Sequence, residues 1–159
     1  MTTDGFTTCL WFDGKAEEAA HFYVSLFKNS SLGKIGYYNE AGPAPAGGVM
    51  AVDFVANGQK FVALNGGPMF KFTEAISFQI YCADQAEVDH YWAKLTEGGE
   101  PGPCGWLKDK YGVSWQVVPD GLIEMIADPD QEKAVRVTKA MYAMGKLDIA
   151  ALKKAFAGE

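Results

Sequence analysis

The feature that most constrains this chain's fold is that it repeats itself. Residues 7–13 (TTCLWFD) alternate like a strand, and 14–27 (GKAEEAAHFYVSLF) place Ala16, Ala19, Ala20, Tyr23, Leu26 and Phe27 at helical spacing. About 70 residues later the same order returns: SFQIYCAD (77–84) reads as a strand and QAEVDHYWAKLTEGG (85–99) as a helix. The second helix has a stripe of Val88, Trp92 and Leu95, with Gly98-Gly99 as its stop. Both helices carry Ala-Glu in the first turn, Ala16-Glu17 and Ala86-Glu87, where an acid meets the positive end of the helix dipole. β-like segments follow each helix: 32–39, 47–58 and 59–65 in the first half, a short piece around Trp106-Leu107 and then 113–119 in the second. Turn-rich stretches (40–48, Asn57-Gly58, 65–68, 97–103) separate them. The reading is an α+β fold of two βαβββ units, residues 6–66 and 74–127, related by internal duplication.

Residues 128–159 form a helical tail. DPDQEKAVRVTKAMYAMG (128–145) offers Asp128 as N-cap, Pro129 at the first helical position, Gln131 in the capping-box place and Gly145 as the end. Ala134, Val137, Met141 and Met144 make one apolar stripe, and a second short helix starts at Asp148. Such a stripe packs on its own domain or on a sister subunit.

With 159 residues, the chain is long enough for one domain or two small modules. Its net charge of −6 argues against nucleic acid and anionic membrane as partners. No apolar run approaches the ~20 residues of a spanning helix, and the start MTTDGFTT lacks the basic and apolar regions of a signal peptide. Cys9, Cys82 and Cys104 are few, odd in number and far apart, without CxxC, which fits reduced thiols and predicts a cytoplasmic location.

Strand parity predicts which side chains face away from the helices. Leu10 and Phe12 face the first helix, so Thr7, Cys9 and Trp11 look the other way. Phe78, Ile80 and Cys82 face the second, leaving Ser77, Gln79 and Tyr81 opposite. In GWLKDKYGVSWQVVP (105–119), Val113, Trp115 and Val117 are the apolar set, and Ser114, Gln116 and Val118 oppose them. Asp53 alternates with Val52 and Phe54 inside a strand. Amides, hydroxyls and aromatics on one face are how small-molecule pockets are lined. The candidate ligand-binding residues are therefore Cys9, Trp11, Asp53, Gln79, Tyr81, Trp106 and Gln116. His21 and His90 fall off their helix stripes and read as solvated, and Lys108, Asp109 and Lys110 read as a solvated turn.

LWFDGKAEEAAHFYVSLF (10–27), FVALNGGPMFKFTEAISF (61–78), CGWLKDKYGVSWQVVP (104–119) and KLDIAALKKAFAG (146–158) together resemble the vicinal oxygen chelate superfamily of glyoxalases, dioxygenases and bleomycin-resistance proteins, and within it the PhnB-like branch. Members of that branch often carry the name 3-demethylubiquinone-9 3-methyltransferase. The resemblance implies two units forming a cleft within a partly open barrel, commonly in a homodimer. It places the superfamily's metal ligands near Thr7 or Cys9, near Ser77 and at Gln116, where no His or carboxylate stands. The expectation is therefore neither a metal nor a cofactor. No strand-GxGxxG-helix turn, as a methyl-donor site on a doubly wound sheet would use, is visible.

Three functions compete. The first is a binding protein that takes a small organic molecule in the cleft between its units. The second is an enzyme of the same superfamily on a small metabolite, either a metal-dependent lyase or isomerase or the methyltransferase of the branch's name. The third is a scaffold dimerised through its tail.

Overall fold

The computed structural model describes residues 5–159; the start of the MTTDGFTT stretch lies outside the described residues. The chain divides into two compact units, one ending at Lys71 and the other Phe72–Glu159. The first holds β1 (Thr8–Phe12), α1 (Ala16–Leu26), β2 (Ser31–Tyr37), β3 (Val49–Ala56) and β4 (Gln59–Asn65). The second holds β5 (Ser77–Cys82), α2 (Gln85–Thr96), β6 (Glu100–Pro101), β7 (Trp106–Lys108) and β8 (Ser114–Pro119), then α3 (Leu122–Ile126), α4 (Gln131–Tyr142) and α5 (Ile149–Ala157). The sheets have the same topology. Their orders are β1-β4-β3-β2 and β5-β8-β7-β6, with the first and last strands of each unit parallel and the other pairs antiparallel. Neither sheet closes on itself, and the fold is α+β as the repeat predicts.

Alternation builds each core. In the first unit Leu10, Phe12, Val52, Phe54, Ala56, Phe61 and Ala63 are buried on one face, beneath Ala16, Ala19, Ala20 and Tyr23 of α1. The three alanines let the helix lie close to the sheet, and Tyr23 stacks on Phe54, which stacks on Phe61 with centroids 5.1 Å apart. α1 has no side-chain cap of its own. Its Ala16 N–H donates to the Asn65 side chain at the end of β4, whose amide in turn donates to Val49 O.

In the second unit Ile80, Cys82, Leu107, Trp115 and Val117 are buried, as are Val88, Tyr91 and Leu95 of α2. Tyr91, not the expected Trp92, completes the stripe; Trp92 stands half-buried at its margin. α2 starts with a reciprocal cap: Asp84 accepts from Glu87 N–H, and Glu87 accepts from Ala83 N–H.

The tail corrects a second expectation. Asp130, not Asp128, caps α4, accepting from Glu132 and Lys133 N–H. Asp128 instead accepts from Asp130 N–H, a turn that sets the cap in place. The helix ends at Tyr142 with Ala143 as cap, before Gly145. β6 and α3 were not expected. β6 is two residues in a stretch rich in glycine and proline, and α3 is one short turn too brief to show a period. Among the described residues, no helix is long and apolar enough to cross a membrane.

Candidate functional site

Register places the expected residues on matching rows. In the second sheet Gln79 pairs with Gln116, which pairs with Trp106. In the first sheet Cys9 pairs with Val62, which pairs with Asp53. Both rows lie on the face away from the helix, as parity predicts for Cys9, Gln79 and Gln116.

The second-unit row is a directed hydrogen-bond chain. Tyr81 hydroxyl donates to Gln79 Oε1 (2.8 Å), Gln79 Nε2 to Gln116 Oε1 (3.2 Å), and Gln116 Nε2 to Ser77 Oγ (2.8 Å). Each amide bond uses one N–H and one lone pair, so each glutamine keeps a further donor or acceptor for a ligand. The neighbouring row runs Ser77, Ser114, Lys108, Glu100. Ser114 is buried, and its hydroxyl has no hydrogen-bond partner among the described residues. Lys108 Nζ lies 2.6 Å from a Glu74 carboxylate oxygen. The hydrogen bond from Lys108 holds the Glu74 carboxyl below the usual carboxylate range, and Glu74 in turn raises the Lys108 ammonium.

Over these rows lies a cavity of about 590 Å³ contained within the second unit. The sheet supplies its polar floor through Gln79, Gln116, Ser114 and Lys108, with Trp106 and Val118 beside them. α3 and α4 supply an apolar wall of Leu122, Ile123, Ile126 and Met141, with Tyr142 at its edge. The tail is locked to the floor's rim: Cys104 N–H donates to Met144 O, and Gly105 N–H to Gly145 O. Gly105 has φ +80°, and a Cβ there would lie 2.7 Å from Val117 O, so only glycine fits. Cys104 beside it is also left-handed, at φ 56°, a strained conformation for a non-glycine residue that these two bonds hold in place.

Three of the seven expected residues, Gln79, Trp106 and Gln116, therefore line one cavity. Tyr81 stands exposed at its margin and orients Gln79. Cys9, Trp11 and Asp53 belong to the first unit. Cys9 is exposed at its surface, and partial burial pushes its thiol up. Trp11 Nε1 donates to Gly67 O at 2.8 Å, and its ring meets the Phe70 ring edge-on at 4.9 Å. The Trp11 ring also lies over Gly66, where a Cβ would stand 2.3 Å from it. Asp53 is exposed, one residue out of phase with buried Val52 and Phe54. His21 and His90 are exposed, as expected.

The sequence reading missed Asp109. Expected on a solvated turn, it is 3% exposed and accepts from Tyr111 N–H, Val113 N–H and Trp115 Nε1 (2.8 Å), which fixes the turn into β8. The indole of Trp115, six residues along, was the available signal. The contributions of Ser114, Lys108 and the tail wall were also missed; parity had placed Ser77 and Ser114 on the correct face.

The fold class implies a metal, so the donors matter. The cavity offers amide and hydroxyl oxygens, the Cys104 thiol and two carboxylates, of which Glu74 is held by Lys108 and Glu100 stands on the strand beside it. A transition metal wants His, Cys or free carboxylates, and a hard cation site normally includes carboxylates. Among the described residues, no three of His, Cys, Asp and Glu gather at metal-binding distance. This donor set does not fit the superfamily's ion.

Two βαβββ units of identical strand order define a vicinal oxygen chelate fold. The chain belongs to the 3-demethylubiquinone-9 3-methyltransferase family, whose model matches residues 4–118, and within it to the PhnB-like branch. It is 39% identical to a Bacillus cereus structure carrying the names PhnB and 3-demethylubiquinone-9 3-methyltransferase, covering 73% of this chain and 99% of that one at a TM-score of 0.65. Protein PA1353 from Pseudomonas aeruginosa (20% identity, 74% and 98% covered, TM-score 0.59) and the fosfomycin resistance protein FosX from Listeria monocytogenes (15%, 78% and 98%, TM-score 0.53) share the fold. No curated protein matches the chain. The family match ends before α3, so the tail lies outside it.

Proposed function

We propose that this protein binds a small organic molecule in the second-unit cavity, without a dedicated metal. The observation that carries the reading is the row Gln79, Gln116, Trp106: two aligned amides and an indole on the floor of a 590 Å³ cavity with apolar walls. That volume sits within the ~300–1,000 Å³ of small-molecule sites, and a few convergent polar groups in an apolar wall are their usual composition. Methyl transfer, which the family's description names, gains no support from the strand-to-helix turns. β1 leads to α1 through Asp13-Gly14-Lys15 and β5 to α2 through Ala83-Asp84, neither the glycine-rich first turn that a methyl-donor site on a doubly wound sheet would use. A homodimer and a cytoplasmic location belong to the same reading.

The test is a thermal-shift screen against small aromatic and amphipathic compounds, with elemental analysis of the purified protein. Trp106→Ala is expected to abolish the shifts of any hit. Retained shifts would move the site elsewhere, and stoichiometric manganese, zinc, nickel or iron would overturn the metal-free reading. Trp11→Ala reports on the first unit: a lost shift there would bring Cys9, Trp11 and Asp53 into the binding site.

A further inference from the structure

The cavity is built from two sources. Its polar floor comes from the part of the chain that the family shares, and much of its apolar wall comes from the tail beyond residue 118. Within the tail, Val137, Leu147 and Leu152 form one core with Leu122 and with Val118 of the sheet, with Ile126 and Met141 packed against it. Gln85 of α2 adds two bonds, donating to Leu147 O and accepting from Ile149 N–H, and Lys146 pairs with Asp89 at 2.5 Å. The wall is thus a fixed surface of this chain, and it alters the cavity without altering the floor.

The charges lining the cavity point to a ligand class. Its cation, Lys108, is already paired with Glu74, and Glu100 lies beside it on the next strand. An anionic ligand would have to displace Glu74 or enter next to two exposed carboxylates, whose like charge disfavours it, less so at high salt. The free hydrogen-bonding capacity lies on neutral groups, the two glutamine amides, while the unpartnered Ser114 hydroxyl is buried.

We infer that the tail is the specificity-determining wall of the cavity, and that the cavity selects a neutral amphipathic compound. Such a ligand places a carbonyl, amide or hydroxyl group on the Gln79–Gln116 row and an aromatic or branched hydrocarbon part against Ile126 and Met141. This inference rests on the binding function proposed above, and the test keeps the two apart.

Two fluorescent probes differ by one sulfonate: N-phenyl-1-naphthylamine is neutral and 8-anilino-1-naphthalenesulfonate is an anion. Fluorescence titration of the full chain is expected to show the neutral probe binding at least about tenfold more tightly. Met141→Trp and Ile126→Trp, which fill the wall side, are expected to weaken the neutral probe about tenfold or more. Val135→Trp, on the exposed side of α4, is expected to leave it unchanged. Thermal unfolding of each variant checks that it folds. Should the two fillers unfold, Tyr142→Ala at the exposed edge replaces them, with an expected loss of about threefold. Preference for the anion, or folded wall variants that bind like the parent chain, overturns the inference while the binding site stands. A folded parent chain that binds neither probe overturns both.

Discussion

The rows Cys9–Val62–Asp53 and Gln79–Gln116–Trp106 occupy equivalent register positions in two sheets of the same strand order. One is a thiol, a valine and an exposed carboxylate; the other is an amide pair and an indole under a walled cavity. The helix-facing sides carry the same job in both units, and their residues are alike: Leu10 answers Ile80, and Ala63 answers Val117. Duplication has kept the core faces in step and let the opposite faces diverge. Packing under a helix tolerates only apolar volume, whereas an open sheet face is free to take up chemistry.

The largest expected difference between the units concerns their acids. Asp109 satisfies three donors, two of them buried and one partly so, and unpaired buried donors cost about 1–3 kcal/mol each, so Asp109→Ala is expected to destabilise the protein by about 3 kcal/mol or more. Asp53→Ala, on the first unit's exposed row, is expected within about 0.5 kcal/mol of the parent chain. Urea unfolding of both variants checks this. Equal effects would mean that Asp53 is held as firmly as Asp109, and the contrast between the rows would fail.

A smaller effect follows from exchanging the rows' centres. Gln116→Val gives the second row the residue of the first, and is expected to cost a hydrogen-bonding neutral ligand about tenfold in affinity, the worth of one or two neutral hydrogen bonds. Val62→Gln is expected to add no binding, because its row does not line the second-unit cavity. Calorimetry on a hit from the thermal-shift screen checks both. A gain from Val62→Gln would show that the row alone, not the wall, makes the site.

The fold was legible because the repeat, the alternation and the helix stripes are short-range signals, each written in neighbouring residues. Parity even places Gln79 and Gln116 on the face that lines the cavity. The wall was not legible. The packing of Ile126 and Met141 against Val118 depends on where a chain turns after β8, through a helix of five residues with no readable period. Asp109 was misread for a related reason: a charged residue between two lysines looks solvated unless its partner, the Trp115 indole, is already known to point back at it.

The cysteines give a subtler contrast. Cys82 is buried on the helix face, and burial pushes its thiol up to about 12, with Glu87, Asp120 and Asp84 adding to the shift. A raised thiol means that the fold favours the neutral form. Its contribution to stability is therefore complete below the unfolded value near 9 and is lost as pH rises from there towards 12. In the folded protein a thiol reagent such as DTNB is expected to label exposed Cys9 and to spare Cys82 until the chain unfolds. Stability of the parent chain should fall above pH ~9 more steeply than that of Cys82→Ala. Rapid labelling of Cys82 in native protein would show that the second core opens more readily than its packing implies.

The smallest expected effect tests why the second row should prefer a neutral ligand. Glu74 and Lys108 are an exposed pair with no counterpart in the first sheet, where Val55 and Lys60 take the positions equivalent to Lys108 and Ser114. Exposed pairs add little to stability, so the readout is ligand charge. Glu74→Gln releases Lys108, and the sulfonate probe is expected to gain about threefold relative to its neutral partner, a gain that shrinks at high salt. The pH dependence has a fixed sign. Because the hydrogen bond from Lys108 lowers the Glu74 carboxyl, the pair forms above the ordinary carboxylate range, persists as pH falls through it, and is lost only below it. The parent chain should begin to accept the anion only in that acid window, while Glu74→Gln accepts it throughout. An anion affinity that rises instead through the ordinary carboxylate range would show that Lys108 does not hold Glu74.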